Sequence, residues 1–389
     1  MGRIAITGLG MISPAGSELE SLLANYQSGT HQLAYDHDLG AWVGQIGQQF
    51  AGRFSIIQTT YPRLDPAVHY AIFAARKAVE AANWGKKIKD YGILIGSSRG
   101  ATHLWEMAHD RWLETGKLSP RTSPTTTLGN ISSWVGQDLG QMGFLSSHSV
   151  TCSTAAHALV QGAAWLRAGM AQRMLIGGAE APLTDFTLAQ MKTLRIYSQS
   201  GPSSKWPCRP MAKNDATGMV LAEGAGILAM EAGDAVQAKA FVIGIGYGQE
   251  LLNSPTGIDP MGTGIAQAMQ MALDDAELEG VDLVVTHAPG TKKGDAAEWH
   301  ALRTVFGDRM PCIANTKWLQ GHGLGASAAW SMALGMAAMQ SGTSLRTLPY
   351  LDSGRQIQNK PEKIETVLIN AMGFGGNCVS IILAAPSQL

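Results

Sequence analysis

Charge is what this 389-residue sequence has least of. Lys, Arg, Asp and Glu make up 15% of it, against about 25% in typical soluble domains. The 29 Lys and Arg nearly cancel the 30 Asp and Glu, leaving a net charge of −1. That balance removes the bulk electrostatic case for nucleic acid or an anionic membrane surface as partner. There are only 4 Cys, too few for a disulfide framework and none at zinc-type spacing, so no metal site is expected. No run of about 18 unbroken apolar residues exists to cross a membrane, and Met1-Gly2-Arg3 runs into a strand pattern rather than a signal peptide. A cytoplasmic, reduced, soluble protein is the expectation. The phosphate-binding pattern GxxxxGK[ST] is also missing, and Gly8-Leu-Gly10 does not extend to GxGxxG.

What the chain has in excess is glycine, with 46 residues. Low charge with abundant glycine predicts close backbone packing and a large buried subunit interface. Two halves repeat one rhythm. Arg3 to Gly10 and Phe241 to Gly248 are short apolar runs punctuated by glycine. Each precedes an amphipathic helix, over Pro66 to Ala82 and Gly264 to Glu277, with apolar residues at three- and four-residue steps. Buried-type strands follow at Tyr91 to Gly96 and Val281 to Thr286. Next come two segments leading into small-residue helices, Ser149 to Ser153 before Ala156–Ala168 and Ile313 to Lys317 before Gly325–Met339. Paired strands close each half: Arg173–Gly178 with Gly226–Glu231, and Thr366–Asn370 with Cys378–Leu383. Alternating strands and helices predict an α/β body with mostly parallel sheets. The two charge-poor helices belong between sheets, which gives a five-layer α-β-α-β-α sandwich of duplicated halves, residues 1–235 and 236–389. Pro182 to Ala222 breaks the rhythm and reads as a functional loop; Leu104 to Asn130 reads as an insertion.

Cys152 stands where a strand should stop and a helix begin. Unpaired N–H groups and the helix dipole there favour a thiolate and predict a lowered thiol pKa. A buried structural cysteine fits the same position. Cys208, Cys312 and Cys378 lack that placement and read as packing. His322, flanked by Gly321, Gly323 and Gly325, occupies the pseudo-symmetric turn, so the two side chains are expected to meet near the centre. Lys317, five residues before it, supplies a cation beside a thiolate. Gly373-Phe-Gly-Gly-Asn377 is a third glycine turn, whose N–H groups with that of Cys152 could hold an oxyanion.

In this combination the chain resembles the β-ketoacyl-ACP synthases of the thiolase fold. The carriers are the strand–Cys152–helix order, Gly321-His-Gly-Leu-Gly-Ala326 and Gly373-Phe-Gly-Gly-Asn377. Ile6-Thr-Gly-Leu-Gly-Met-Ile-Ser-Pro14, Ile176-Gly-Gly-Ala-Glu180, Arg209-Pro210 and Asn315-Thr-Lys317 support them. The resemblance implies decarboxylative Claisen condensation of malonyl-ACP with an acyl group carried on Cys152. It implies oxyanion N–H groups at Cys152 and Phe374, His322 donating to the malonyl carbonyl, Lys317 paired with Glu298, and Phe374 as gate of the acyl pocket. It brings an acyl-carrier protein as partner, whose phosphopantetheine delivers the substrates, and no cofactor of the protein's own. It also implies a dimer built through the segment Leu145 to Thr151, with a copy of itself or with a related ketosynthase.

One departure matters. The family's first active-site histidine lies in Ala-His-Gly-Thr, and here His287-Ala-Pro-Gly-Thr291 puts Pro289 in its place, with no proton to give. His287, two residues earlier and on the same face if the strand continues, is the candidate substitute. Three readings follow: a condensing enzyme of fatty-acid or aryl-polyene-like type II polyketide synthesis, a chain-length-factor-like partner subunit, or a CoA thiolase. The last would need a second cysteine in a Cys-x-Gly turn, and Cys378 is followed by Val379-Ser380 instead.

Overall fold

The computed structural model describes residues 3–85, 90–128, 130–212, 215–351 and 361–388; Met1 and Gly2 of the opening segment, and Lys213 and Asn214 of the long loop, lie outside them. Its strands are β1 (Ile4–Ile12), β2 (Ala34–Asp36), β3 (Ala41–Val43), β4 (Gly92–Gly96), β5 (Leu145–Ser146), β6 (Arg173–Glu180), β7 (Gly224–Ala232), β8 (Ala240–Gln249), β9 (Leu283–Val285), β10 (Cys312–Ala314), β11 (Thr366–Gly373) and β12 (Asn377–Ala384). All but the β2–β3 ribbon join one ten-stranded order, β10-β9-β11-β12-β8-β1-β7-β6-β4-β5. Cut between β8 and β1, this order is two five-stranded sheets in which corresponding elements occupy corresponding places. The duplication read from the sequence is therefore a duplication of topology. Among the described residues the sheets pair where Ile4–Ile6 meet Ala240–Val242, and a register shift between Ile6 and Gly8 marks where β1 leaves that contact.

The sheets are mixed, not mostly parallel as expected. Pairings of β4 with β5 and β6, and of β9 with β10 and β11, are parallel. Those of β6 with β7 and β11 with β12 are antiparallel, because these connections carry no crossover helix on the sheet. The segment Leu145 to Thr151 is likewise strand only at Leu145–Ser146; beyond it the chain is irregular up to the helix Thr154–Arg167. Leu104 to Asn130 contains most of the helix Thr102–Thr115 and the short helix Thr122–Thr126, and the long loop contains the helix Asp185–Thr193.

Helices Pro66–Ala81 and Thr263–Asp275 cover the two outer faces, on β1, β7 and β6 and on β8, β12 and β11. Helices Thr154–Arg167 and Ser327–Ser341 pack against one another between the sheets. Every residue from Ser327 to Met339 is buried, which is why this helix carries no charge and no polar face. The five-layer expectation holds.

The repeated glycines have a common cause. A Cβ on Gly10 would lie 2.0 Å from the Ala74 carbonyl oxygen, and one on Gly246 would lie 1.9 Å from that of Ala268. Each outer helix thus rests its backbone directly on its strand, and only glycine allows that approach. Gly10→Ala and Gly246→Ala should each cost about 1–3 kcal/mol, seen as a lowered thermal midpoint with secondary structure retained at 25 °C. Unchanged midpoints would contradict this packing.

Candidate active site

The site forms at the carboxyl ends of the strands, where open α/β sheets place their ligand crevices. A cavity of about 270 Å³ is lined there by Cys152, His287, Pro289, His322, Phe374 and residues of both halves.

Cys152 is delivered by a stapled turn. The Ser153 hydroxyl donates to the Val150 carbonyl at 2.8 Å, the Thr154 hydroxyl donates to the Thr151 carbonyl at 2.7 Å, and the Val150 N–H donates to the Thr154 hydroxyl at 3.0 Å. Thr151 is held at φ +47°, uncommon for a β-branched residue and stored strain of the kind found at functional turns. The glycine turn lies against it: the Thr151 hydroxyl donates to the Phe374 carbonyl at 3.4 Å, and a Cβ on Gly373 would meet that hydroxyl at 2.2 Å.

The expected lowering of the Cys152 pKa is overturned. Burial pushes the thiol up to about 12; the Lys317 cation opposes that rise and Glu180 adds to it. The helix start lies next to the sulfur, yet desolvation of the anion outweighs what the helix N-terminus offers. Thiolate character must therefore come from a neighbour that accepts the proton.

The second half supplies those neighbours. His322 is locked by its backbone, its N–H donating to Val220 at 2.7 Å and its carbonyl accepting from Ala222 at 3.0 Å. Its Nδ1 shares a 2.8 Å hydrogen bond with the Ser327 hydroxyl, which occupies one ring nitrogen and leaves Nε2 to the cavity. The His287 ring centroid lies 5.5 Å from that of His322, edge to face. The cavity therefore holds two imidazoles although Pro289 occupies the usual histidine position. Burial lowers the pKa of both well below 6.5, and the Lys317 charge lowers them further, so both are neutral at pH 7.

Lys317 is buried, and desolvation lowers it to about 8 while Glu298, Cys152, Cys208 and Asp295 pull it back up. The expected Lys317–Glu298 pair is not a contact: among the described residues no ion pair joins them within 4 Å. Glu298 instead accepts from the N–H groups of His287 at 2.8 Å and Ala288 at 2.6 Å, and from Asn370 Nδ2 at 2.9 Å. Beyond the end of β9 two N–H groups need acceptors, and Glu298 meets that need. Lys317 reaches it through the field alone. Asn315 completes the frame, donating to the carbonyl oxygens of Thr286 and Ala288 and accepting from the Lys317 N–H. Asp295, pushed up to about 7 by burial, holds the N–H groups of Gly290, Thr291 and Met211. Glu180, also raised to about 7, accepts from Ser98 in its own half and from Gly325 in the other.

Several site residues went unrecognised in the sequence. Arg99 follows the carboxyl end of β4, and the strand-end rule could have marked it. Met191, Ile196 and Met219 come from the irregular loop 182–222 and form the apolar wall, which gives that loop its functional role. Ser327 lies five residues past His322, at the start of the helix Ser327–Ser341, and carries no sequence signal. Cys378 is buried within β12 and does not line the cavity, so no second thiol faces Cys152 there. Among the described residues no cluster of His, Cys, Asp and Glu could hold a metal, and no helix is long and apolar enough to cross a membrane.

Duplicated α/β halves with central helices between their sheets make a thiolase-type fold, and a cysteine on a strained turn faces two imidazoles within it. The family is named by comparison: the β-ketoacyl synthase N-terminal domain matches residues 1–235 and the C-terminal domain residues 239–350. The chain belongs to the β-ketoacyl synthase family. It is 28% identical to 3-oxoacyl-[acyl-carrier-protein] synthase 2 of Staphylococcus aureus, over 96% of both chains. A β-ketoacyl synthase from Burkholderia phymatum shares its fold at a TM-score of 0.86 and 24% identity, over 99% of this chain and 100% of that one. So does one chain of the complex of the ketosynthase ApeO with its chain-length factor ApeC from Xenorhabdus doucetiae, at 0.80 and 20%, over 99% of this chain and 98% of that one.

A thiol raised to about 12 gives a direct check. Iodoacetamide alkylation of Cys152 should climb steadily over roughly pH 7 to 10 without levelling. A plateau near pH 8 would contradict burial as the dominant influence on the sulfur.

Proposed function

We propose that this chain is a condensing β-ketoacyl-ACP synthase in which His287 replaces the histidine that Pro289 displaces. The observation that carries the reading is the placing of Cys152, His287 and His322 around one cavity, with the imidazoles 5.5 Å apart. In the first step Cys152 attacks an acyl thioester borne on the phosphopantetheine of an acyl-carrier protein. A neutral imidazole takes the thiol proton as the S–C bond forms, and the carrier leaves as its thiol. Malonyl-carrier protein then loses CO₂, its thioester oxygen turning into an enolate held by donors from His322 and His287. That enolate attacks the acyl carbonyl; the N–H groups of Cys152 and Phe374 hold the tetrahedral oxyanion, and its collapse leaves a β-ketoacyl chain on the carrier and the Cys152 thiolate, which takes one proton from solvent to restore the thiol. Lys317 stabilises each anion through its field, and Phe374 gates the acyl side.

Residues 1–235 and 236–389 act as the two halves of one site, the first supplying the nucleophile and the second the imidazoles. The edge at β5, preceded directly by the exposed Met142 and Phe144, supports a dimer through that face. The pathway assigned is fatty-acid or aryl-polyene-like type II polyketide synthesis, in the cytoplasm.

Pro289 favours a second reading, a chain-length-factor-like subunit that shapes the tunnel of an active ketosynthase. The two separate in one assay with malonyl- and acyl-loaded carrier protein. Product from the isolated chain, lost in Cys152→Ala and reduced about 10²- to 10⁴-fold in His287→Ala, is expected. Product that requires a co-purified synthase and survives Cys152→Ala would establish the partner role instead.

A further inference from the structure

The condensation chemistry makes no use of Arg99, although it lines the same cavity as Cys152. One guanidinium nitrogen, Nη2, donates to Gln190 Oε1 at 2.6 Å. Its Nε is buried with no partner, and no carboxylate among the described residues forms an ion pair with it. Glu180 and Glu106 act on it only through the field, and burial lowers its pKa. Its neighbours on that wall are apolar: Met191, Met219 and Leu324 cluster with Cys152 itself. A cation with unfilled donors beside an apolar chamber is costly unless a ligand satisfies it. The guanidinium's planar fork suits carboxylate, carbonyl and phenol oxygens, and a hydrocarbon tail would shield it from water while returning no hydrogen bond.

We propose that Arg99 is an oxygen-reading subsite for the acyl chain, so that the group loaded onto Cys152 carries an oxo, phenol or carboxylate oxygen that accepts from its guanidinium. This rests on the condensing-enzyme reading. The malonyl carboxylate is the other oxygen source of the same chemistry, and position argues against it. Malonyl must lie by His287, His322 and Lys317, all on the second half. Arg99 belongs to the first half, hydrogen-bonded to Gln190 of the helix Asp185–Thr193, on the side of the cavity where Met191 and Met219 pack with Cys152; an acyl chain on that sulfur has apolar surface to follow there.

Binding to the Cys152→Ala protein tests this without requiring turnover. The probes are pantetheine thioesters of octanoate, its 3-oxo and ω-carboxy counterparts, 4-hydroxybenzoate and malonate, measured by calorimetry. At least one oxygenated acyl thioester should bind about tenfold or more tighter than octanoyl. Adding Arg99→Leu should erase that preference while leaving octanoyl and malonyl binding within about twofold; adding Arg99→Lys should keep part of any preference for the ω-carboxylate. No preference for oxygen, or one that survives Arg99→Leu, overturns the subsite. Loss of malonyl affinity alone assigns Arg99 to the malonyl carboxylate, and equal loss for every thioester in both Arg99 variants makes it structural; each also overturns the proposal. Failure of all the acyl thioesters, oxygenated and octanoyl alike, to acylate Cys152 in the unaltered protein would sink the condensing reading, while the binding preference would still decide what Arg99 recognises.

Discussion

The ammonium group of Lys317 is buried and, among the described residues, forms no ion pair; it biases the ionisable groups around it. It lowers His287 and His322 beyond what burial does, draws Glu298 down, and opposes the rise of Cys152. In a medium of low effective dielectric these influences act over several ångströms without contact. A Lys317–Glu298 ion pair would have cancelled that field. Glu298 is occupied with the His287 and Ala288 N–H groups, while the Lys317 charge acts on the sulfur and on both rings.

The rest of the fold serves to bring that field to a thiol, Cys152, from the other half. Corresponding strands of two five-stranded sheets end at one crevice, and the two central helices begin there, one after Cys152 and the other after His322. Glu180, accepting from Ser98 and Gly325, links the halves beside both helix starts. The strain at Thr151 and the close seating of Gly373 against it fix the Cys152 turn relative to the glycine turn.

Periodicity made the scaffold legible. The glycine-punctuated strands, the amphipathic outer helices and the charge-free Ser327–Ser341 helix carry their places in their own composition. Cys152, His322 and Phe374 were legible because glycine and small residues crowd the turns that present them. What stayed hidden depends on contacts distant in sequence. The Cys152 environment looked activating from its helix start alone, and the burial that overrides it comes from the other half. Glu298 looked like a partner for Lys317 from family pattern, whereas the end of β9 claims it. Arg99 and Ser327 have meaning only once β4 and the second central helix are seen to open on the same cavity.

The claim at the centre is that one buried cation helps hold both imidazoles neutral while they face the thiol. Nitrogen-15 NMR titration of His287 and His322, in the native chain and in Lys317→Met, measures it directly. Neither ring should protonate until well below pH 6.5 in the native chain, and both should take up protons at higher pH once the ammonium is gone. Titration of either ring near 6.5 in the native chain, or identical curves in the two proteins, would contradict the account.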